Sequence, residues 1–329
     1  MPSDSPPLRL LIATPTRLGT RFTAALAALC PSLAEQGITV TVLEGGTGPM
    51  RAERTAAPGY TRYRSTQPAA DCALLAALEA PHAAILLGAD SLSLAAPLLA
   101  AHIPVLLRQD GDQPPALGPL AANRLLGLAT GTDWEAERLA ASTQTAVAVL
   151  PLALPPRLPV AKGGPAVLIL SDQTATGLYL ALALAAARPD IPFLLPETVP
   201  VVAATLPDNI RLVRDGETPP PIRLALLPQG NGCPPWADLA ATLSAGVPIL
   251  GGDAPLLAAA IGPAGVNLPL TAGLPAWLAA LDGLMGRARP TVSVCRSQGA
   301  RLLPDAAPLW GKALHDAVRR SRALIAGTL

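Results

Sequence analysis

The sequence predicts an α/β protein of two similar domains, and three observations carry that prediction. Apolar runs of strand length alternate with Ala- and Leu-rich stretches of helix length, as 8–13 precedes 21–36 and 166–170 precedes 178–187. A proline- and glycine-rich segment, PLALPPRLPVAKGGP, divides the chain near 156–164 and has the composition of a linker. The length of 329 residues suits two domains of about 150 residues each.

In the first half, 8–13 is apolar apart from Arg9 and reads as a buried strand. The loop 14–20 follows, then a helix over 21–36 closed by Gly37, then a strand over 38–43. A dinucleotide fingerprint places several glycines in such a first loop; TPTRLGT has only Gly19, which argues against a nicotinamide-binding domain. Residues 44–67 carry Arg51, Arg54, Arg62 and Arg64 with Tyr60 and Tyr63. They read as an exposed loop with an edge strand, or as a cationic patch for peripheral contact with anionic lipid. A helix over 71–78, a strand over 83–87, a helix over 92–101 and a strand over 103–107 continue the alternation. A strand over 125–129 leads into a helix over 132–141 capped by Thr132 or Asp133, and 147–150 leads into the linker.

The second half restarts the rhythm with a strand over 166–170, a helix over 178–187, strands over 192–195 and 210–212, and a run over 222–227 that is apolar apart from Arg223. Residues 228–269 read PQGNGCPPWADLAATLSAGVPILGGDAPLLAAAIGPAGVNLP. This predicts a loop, a helix over 238–245 stopped by Gly246, and a short buried strand over 247–250. Open α/β sheets take ligands at the carboxyl ends of their strands, which points to the loop 229–236. Further on, a helix over 274–286 buries Trp277, and 307–326 puts Trp310, Leu314, Val318 and Ile325 near one helical face.

Composition narrows the function classes. A formal net charge of +1 gives no bulk electrostatic argument for nucleic acid. Every long apolar region is cut by Asp, Glu, His or Pro before about 18 residues, so no spanning helix is expected. Residues 1–7 are polar and proline-rich with no basic-then-apolar signal, from which a cytoplasmic location is expected. Cys30, Cys72, Cys233 and Cys295 are scattered, with no CxxC pair, and read as reduced thiols. His82, His102 and His315 fall at predicted element boundaries without ligand spacing, so no metal site is expected.

The stretch 228–269 resembles the C-terminal half of GT-B retaining glycosyltransferases of the family 4 type. Pro228, Pro234, Ser244, Gly246, Val247, Pro248, Gly252, Gly262 and Gly265 fall at matching positions without a gap. The resemblance implies two Rossmann-like domains facing across a cleft, with the last helix packing back on the first domain. It also implies a nucleotide-sugar held by two carboxylates eight positions apart, since carboxylates accept the short hydrogen bonds that fix a polyol. Those positions are Cys233 and Ala241 here, with Gly232 in the same loop. The arginine and lysine that would neutralise the donor diphosphate correspond to Ser171 and Thr176, just before Gly177; the hydroxyls of Ser171, Thr174 and Thr176 remain as phosphate donors. Cys233 reads either as an inert thiol or as a nucleophile without a nearby base. The first loop would face acceptor and phosphates, with Arg17, Gly19 and Thr20 as candidates. Where such enzymes often carry a histidine-aspartate pair near the donor sugar, this chain has Gln109 and Asp110. An amide does not exchange a proton near neutral pH, and Asp110 either orients an acceptor hydroxyl or caps a turn.

The expected domains are 1–157, 158–304 and a returning helix 305–329. Two functions are consistent with the residues. One is metal-independent transfer of a sugar, without a cofactor, from a nucleotide-sugar to a glycan or lipid-linked acceptor through a modified donor site. The other is a GT-B scaffold without turnover that partners an active glycosyltransferase. A two-lobed small-molecule binding protein or a sugar-nucleotide epimerase explains the 228–269 frame less well.

Overall fold

The computed structural model describes residues 7–47, 51–54, 59–109, 115–152, 154, 160–170, 175–197, 206–214, 217–229, 235–286, 290–302 and 305–327. The chain divides into two compact units, Met1–Leu154 with Asp305–Leu329, and Pro155–Pro304.

Unit 1 contains β1 (Leu8–Ala13), α1 (Thr20–Glu35), β2 (Ile38–Gly45), β3 (Arg51–Arg54), β4 (Tyr60–Ser65), α2 (Pro68–Glu79), β5 (Ala83–Leu87), α3 (Ala95–Ala100), β6 (Val105–Arg108), β7 (Leu126–Thr130), α4 (Asp133–Thr143) and β8 (Val147–Val149). The sheet order is β3-β4-β2-β1-β5-β6-β7-β8. β3 runs antiparallel to β4 and the other neighbours are parallel. The chain therefore winds outward from β1 on one side, then crosses to β5 and winds outward on the other. Burial on both faces is why the central strands such as β5 read as apolar runs. Leu10 and Ile12 join a core with Leu26, Leu29 and Leu33 of α1. Leu11 and Ala13, one step along the pleat, join the opposite core with Leu75, Leu98 and Leu139 from α2, α3 and α4.

The sequence expectation for 44–67, an exposed loop with an edge strand, fits the edge strand β3 but not β4. β2 continues to Gly45, and β4 is an interior strand with β3 and β2 on its two sides. Arg62 and Arg64 are half-buried, because the buried Glu44 at the end of β2 draws their guanidinium groups inward. The expected helix over 92–101 is a 3-10 turn over Ala89–Leu94 followed by α3. Pro97 lies in the first turn of α3, where its missing N–H is not needed. Thr132 is the cap of α4, its side chain accepting the Glu135 N–H.

Unit 2 repeats the plan in six parallel strands: β9 (Lys162–Ile169), β10 (Phe193–Pro196), β11 (Ile210–Val213), β12 (Ile222–Leu227), β13 (Ile249–Gly252) and β14 (Gly265–Leu268). Their order is β11-β10-β9-β12-β13-β14. The helices are α5 (Ala175–Ala187), α6 (Trp236–Ser244), α7 (Pro255–Ile261), α8 (Gly273–Met285) and α9 (Val292–Leu302). Phe193, Leu195, Leu224, Leu226, Trp277 and Leu281 form its core, and the Trp277 indole N–H donates to the Pro269 carbonyl at 3.1 Å.

The last helix, α10 (Ala306–Ile325), belongs to unit 1. The Asp305 carboxylate accepts the Ala307 N–H at its start. Trp310 and Leu314 complete the core of β1 and α1, and Trp310 Nε1 donates to the Pro151 carbonyl at 2.8 Å. Ile325 is 66% exposed, so the packed face runs through Ala307, Trp310, Leu314, Ala317 and Ser321 and ends a turn before it.

Candidate functional site

Each sheet reverses its winding once, between β1 and β5 in unit 1 and between β9 and β12 in unit 2. In such sheets the carboxyl ends of the two diverging strands leave room for a ligand, because their loops leave to opposite faces.

In unit 2, β9 ends at Ile169 and α5 starts at Ala175, which puts Thr176 in the first turn of that helix. Thr176 is exposed and Gly177 is buried. Ser171 and Thr174 lie outside the described residues, as do Gly232 and Cys233 beyond β12. Gln229, which follows β12, is buried to 2% exposure and its backbone N–H donates to the Leu227 carbonyl. Gly252 at the end of β13 explains that burial: a Cβ there would stand 1.8 Å from the Gln229 carbonyl oxygen. The Gly-Gly pair lets the start of the 229–236 loop lie directly against the next strand end. Ala241 lies half-buried on α6, one turn beyond the buried Asp238, whose charge complements the N-terminus of the helix. Asp238 is a carboxylate at this end of the sheet that sequence reading treated only as a helix start.

In unit 1, Gly19 is the N-cap of α1 and is exposed with Arg17 and Thr20. What shapes their loop is Glu44, unremarked in the sequence. One carboxylate oxygen accepts the Leu18 N–H at 2.9 Å, and the other accepts Arg64 Nε–H at 2.7 Å with Arg62 Nε at 3.9 Å. Gly45 seals the arrangement, since a Cβ there would meet the Pro15 carbonyl oxygen at 2.0 Å. Two further charged groups sit at neighbouring strand ends. Arg108 is buried at the end of β6, its Nε donating to the Leu150 carbonyl at 2.9 Å, and Glu135 is buried in the first turn of α4. Thr132 donates to Glu135 Oε2 at 3.1 Å while accepting the Glu135 N–H, a reciprocal cap. Gln109 follows Arg108; its N–H donates to the Ala129 carbonyl and its Oε1 is buried. Asp110 lies outside the described residues.

The histidines are elsewhere. His82 and His102 precede the amino ends of β5 and β6, and His315 is inside α10 rather than at an element boundary. Among the described residues no group of three or more His, Cys, Asp or Glu is placed to hold a metal ion. Burial pushes the Cys30 thiol up to about 12 and the Cys72 thiol up to about 11, which leaves both protonated and unreactive near neutral pH. No described helix is long and apolar enough to cross a membrane.

Two doubly wound units, the first completed by the last helix, define the GT-B fold. Solved structures share it over nearly the whole chain. Sucrose-phosphate synthase from Thermosynechococcus elongatus superposes with a TM-score of 0.64 at 12% identity, covering 97% of this chain and 100% of that one. Anabaena HepE, solved in complex with UDP-glucose, gives 0.66 at 9% identity over 95% and 99%. The glycosyltransferase VinC, solved in complex with dTDP, gives 0.54 at 15% identity over 95% and 100%. No family model and no curated protein matches the sequence.

Proposed function

We propose that the chain binds a nucleotide-sugar on unit 2 and transfers its sugar to a glycan or lipid-linked acceptor, through a donor site of the family 4 type that has lost its usual charged grips. The observation that carries this reading is the winding reversal of unit 2, where β9, followed by the N-terminus of α5, pairs with β12, whose end at Gln229 packs against Gly252. The UDP-glucose and dTDP held by two structures of the same fold support a nucleotide donor.

In this reading the diphosphate lies at the N-terminus of α5, where backbone N–H groups and the Thr176 hydroxyl donate to it. Thr176 and Ala241 are neutral at positions that carry charge in the resembled family. Loss of one preorganised group of that kind costs about 2.7–4 kcal/mol in the transition state, so turnover is slow. The negative charge is met by hydrogen-bond donors rather than by a metal. Gln109 and Asp110 orient the acceptor hydroxyl without relaying a proton through an imidazole.

Calorimetric titration with UDP-, GDP-, ADP- and dTDP-sugars, with and without EDTA and alongside a donor-hydrolysis assay, tests this. Binding that is insensitive to EDTA, with slow hydrolysis, is expected. Failure to bind any donor would overturn it and leave a scaffold that partners an active glycosyltransferase. The double replacement Cys233→Glu with Ala241→Glu is expected to tighten donor binding, and unchanged affinity would reject the family 4 register.

A further inference from the structure

A cavity of about 540 Å³ opens within unit 1 between the edge strand β8 and α10, at the far side of the sheet from β1. That volume is within the roughly 300–1,000 Å³ of small-molecule sites and far exceeds the gaps left in a packed core. Its origin lies in the helix. α10 turns Trp310, Leu314 and Ala317 to the core of β1, and presents a second stripe, Leu309, Ala313, Asp316 and Arg320, to β8. The opposing wall is Val147, Ala148 and Val149 with Gly127 beneath. Ala148, Ala313 and Gly127 are too small to meet across the space, so strand and helix frame a trough.

The charges at its rim are not balanced. Asp316 is taken by Arg319 at 2.7 Å, and Asp133 sits in the first turn of α4, where the helix N-terminus stabilises a carboxylate. Lys312 and Arg320 line the same cavity, are exposed, and form no ion pair among the described residues. The apolar part of the trough, Leu309 and Ala313 of the helix opposite Val147, Ala148 and Val149 of the strand, thus has two unneutralised cations at its rim.

We infer that this trough binds a single anionic amphiphile, its apolar chain lying between Ala148 and Ala313 and its anionic head paired with Lys312 and Arg320. None of these residues belongs to the strand ends assigned to the sugar donor, so the inference stands apart from the donor reading.

Monomeric decyl phosphate titrated calorimetrically into the full chain is the direct test, with decanol as the neutral match and phosphatidylglycerol vesicles as the surface control. Decyl phosphate is expected to bind one per chain and at least tenfold more tightly than decanol. Ala148→Trp fills the trough from the strand and Ala313→Phe from the helix. Each is expected to weaken binding at least tenfold in a variant shown by its melting temperature to be folded, and one folded variant suffices. Lys312→Gln with Arg320→Gln is expected to abolish the preference for decyl phosphate over decanol. Equal binding of the two probes, binding to vesicles only, or undiminished binding in a folded filled variant would overturn the proposal.

Discussion

Glu44 of β2 and Arg64 of β4 lie twenty residues apart in the chain but are direct partners in register, with Arg64 Nε 2.7 Å from Glu44 Oε1. The second oxygen of the same carboxylate holds the Leu18 N–H, so this pair fixes the loop that carries Arg17, Gly19 and Thr20. Arg64→Ala leaves a buried carboxylate with a weaker partner in Arg62 at 3.9 Å. Because Arg64 keeps some contact with solvent, the loss is expected near the lower end of the buried-pair range, about 3 kcal/mol by urea unfolding. Glu44→Gln keeps an acceptor for Leu18 and should lose about 1.5–3 kcal/mol. The double replacement should lose less than the sum.

Gly252→Ala drives a methyl group into the Gln229 carbonyl, 1.8 Å from the ideal Cβ position. The obstacle is backbone rather than a flexible side-chain end, so the cost is expected at the top of the overpacking range, about 3 kcal/mol, in urea unfolding of the full chain. A change below about 0.5 kcal/mol would mean that the two strand ends separate freely.

His82 gives a pH dependence of definite sign. Its Nδ1 accepts the Arg9 N–H at 2.9 Å, which requires the neutral ring. Burial, then the charges of Arg9 and Arg322, lower its pKa below 6.5. As pH falls, the unfolded chain takes up this proton first, so His82 has no effect above the unfolded pKa and subtracts stability from there down to the folded one. NMR titration should place the His82 midpoint below 6.5. His82→Asn should flatten that part of the stability profile.

Trp310 joins burial to a hydrogen bond at the Pro151 carbonyl. Trp310→Phe removes the donor and is expected to cost about 1–3 kcal/mol, and Trp310→Ala about 3–5 kcal/mol. Deletion of 305–329 should lower the melting temperature of unit 1 sharply; unchanged melting would mean that α10 packs without consequence.

How much of this was legible in the sequence differs by element. β1, β5 and β12 stand out because strands buried on both faces are apolar, the exceptions being Arg9 and Arg223 near the amino ends of β1 and β12. β4 was hidden because TRYR reads as solvated, and its half-buried arginines are held by Glu44, eighteen and twenty residues earlier in the chain. α7, β14 and α9 were missed: the first two are short and broken by Pro255, Gly262 and Gly265, and α9 carries Arg, Ser and Gln on a Gly-containing stretch. At the candidate site the sequence located the connections that follow β1 and β9, with Gly19 and Thr176 at the starts of the helices beyond them. It did not reveal that Glu44, Arg108, Glu135 and Gln229 are buried, since a charge or amide is burial-competent only when other residues supply its partners, and spacing along the chain does not record them.

The position of α10 sets an order on biosynthesis. A ribosome makes every strand of unit 1, then all of unit 2, before it makes the tryptophan that closes the first core. Until then the surface of α1, β5 and β8 that α10 covers lacks its partner, so the nascent chain passes through a stage that invites chaperone capture.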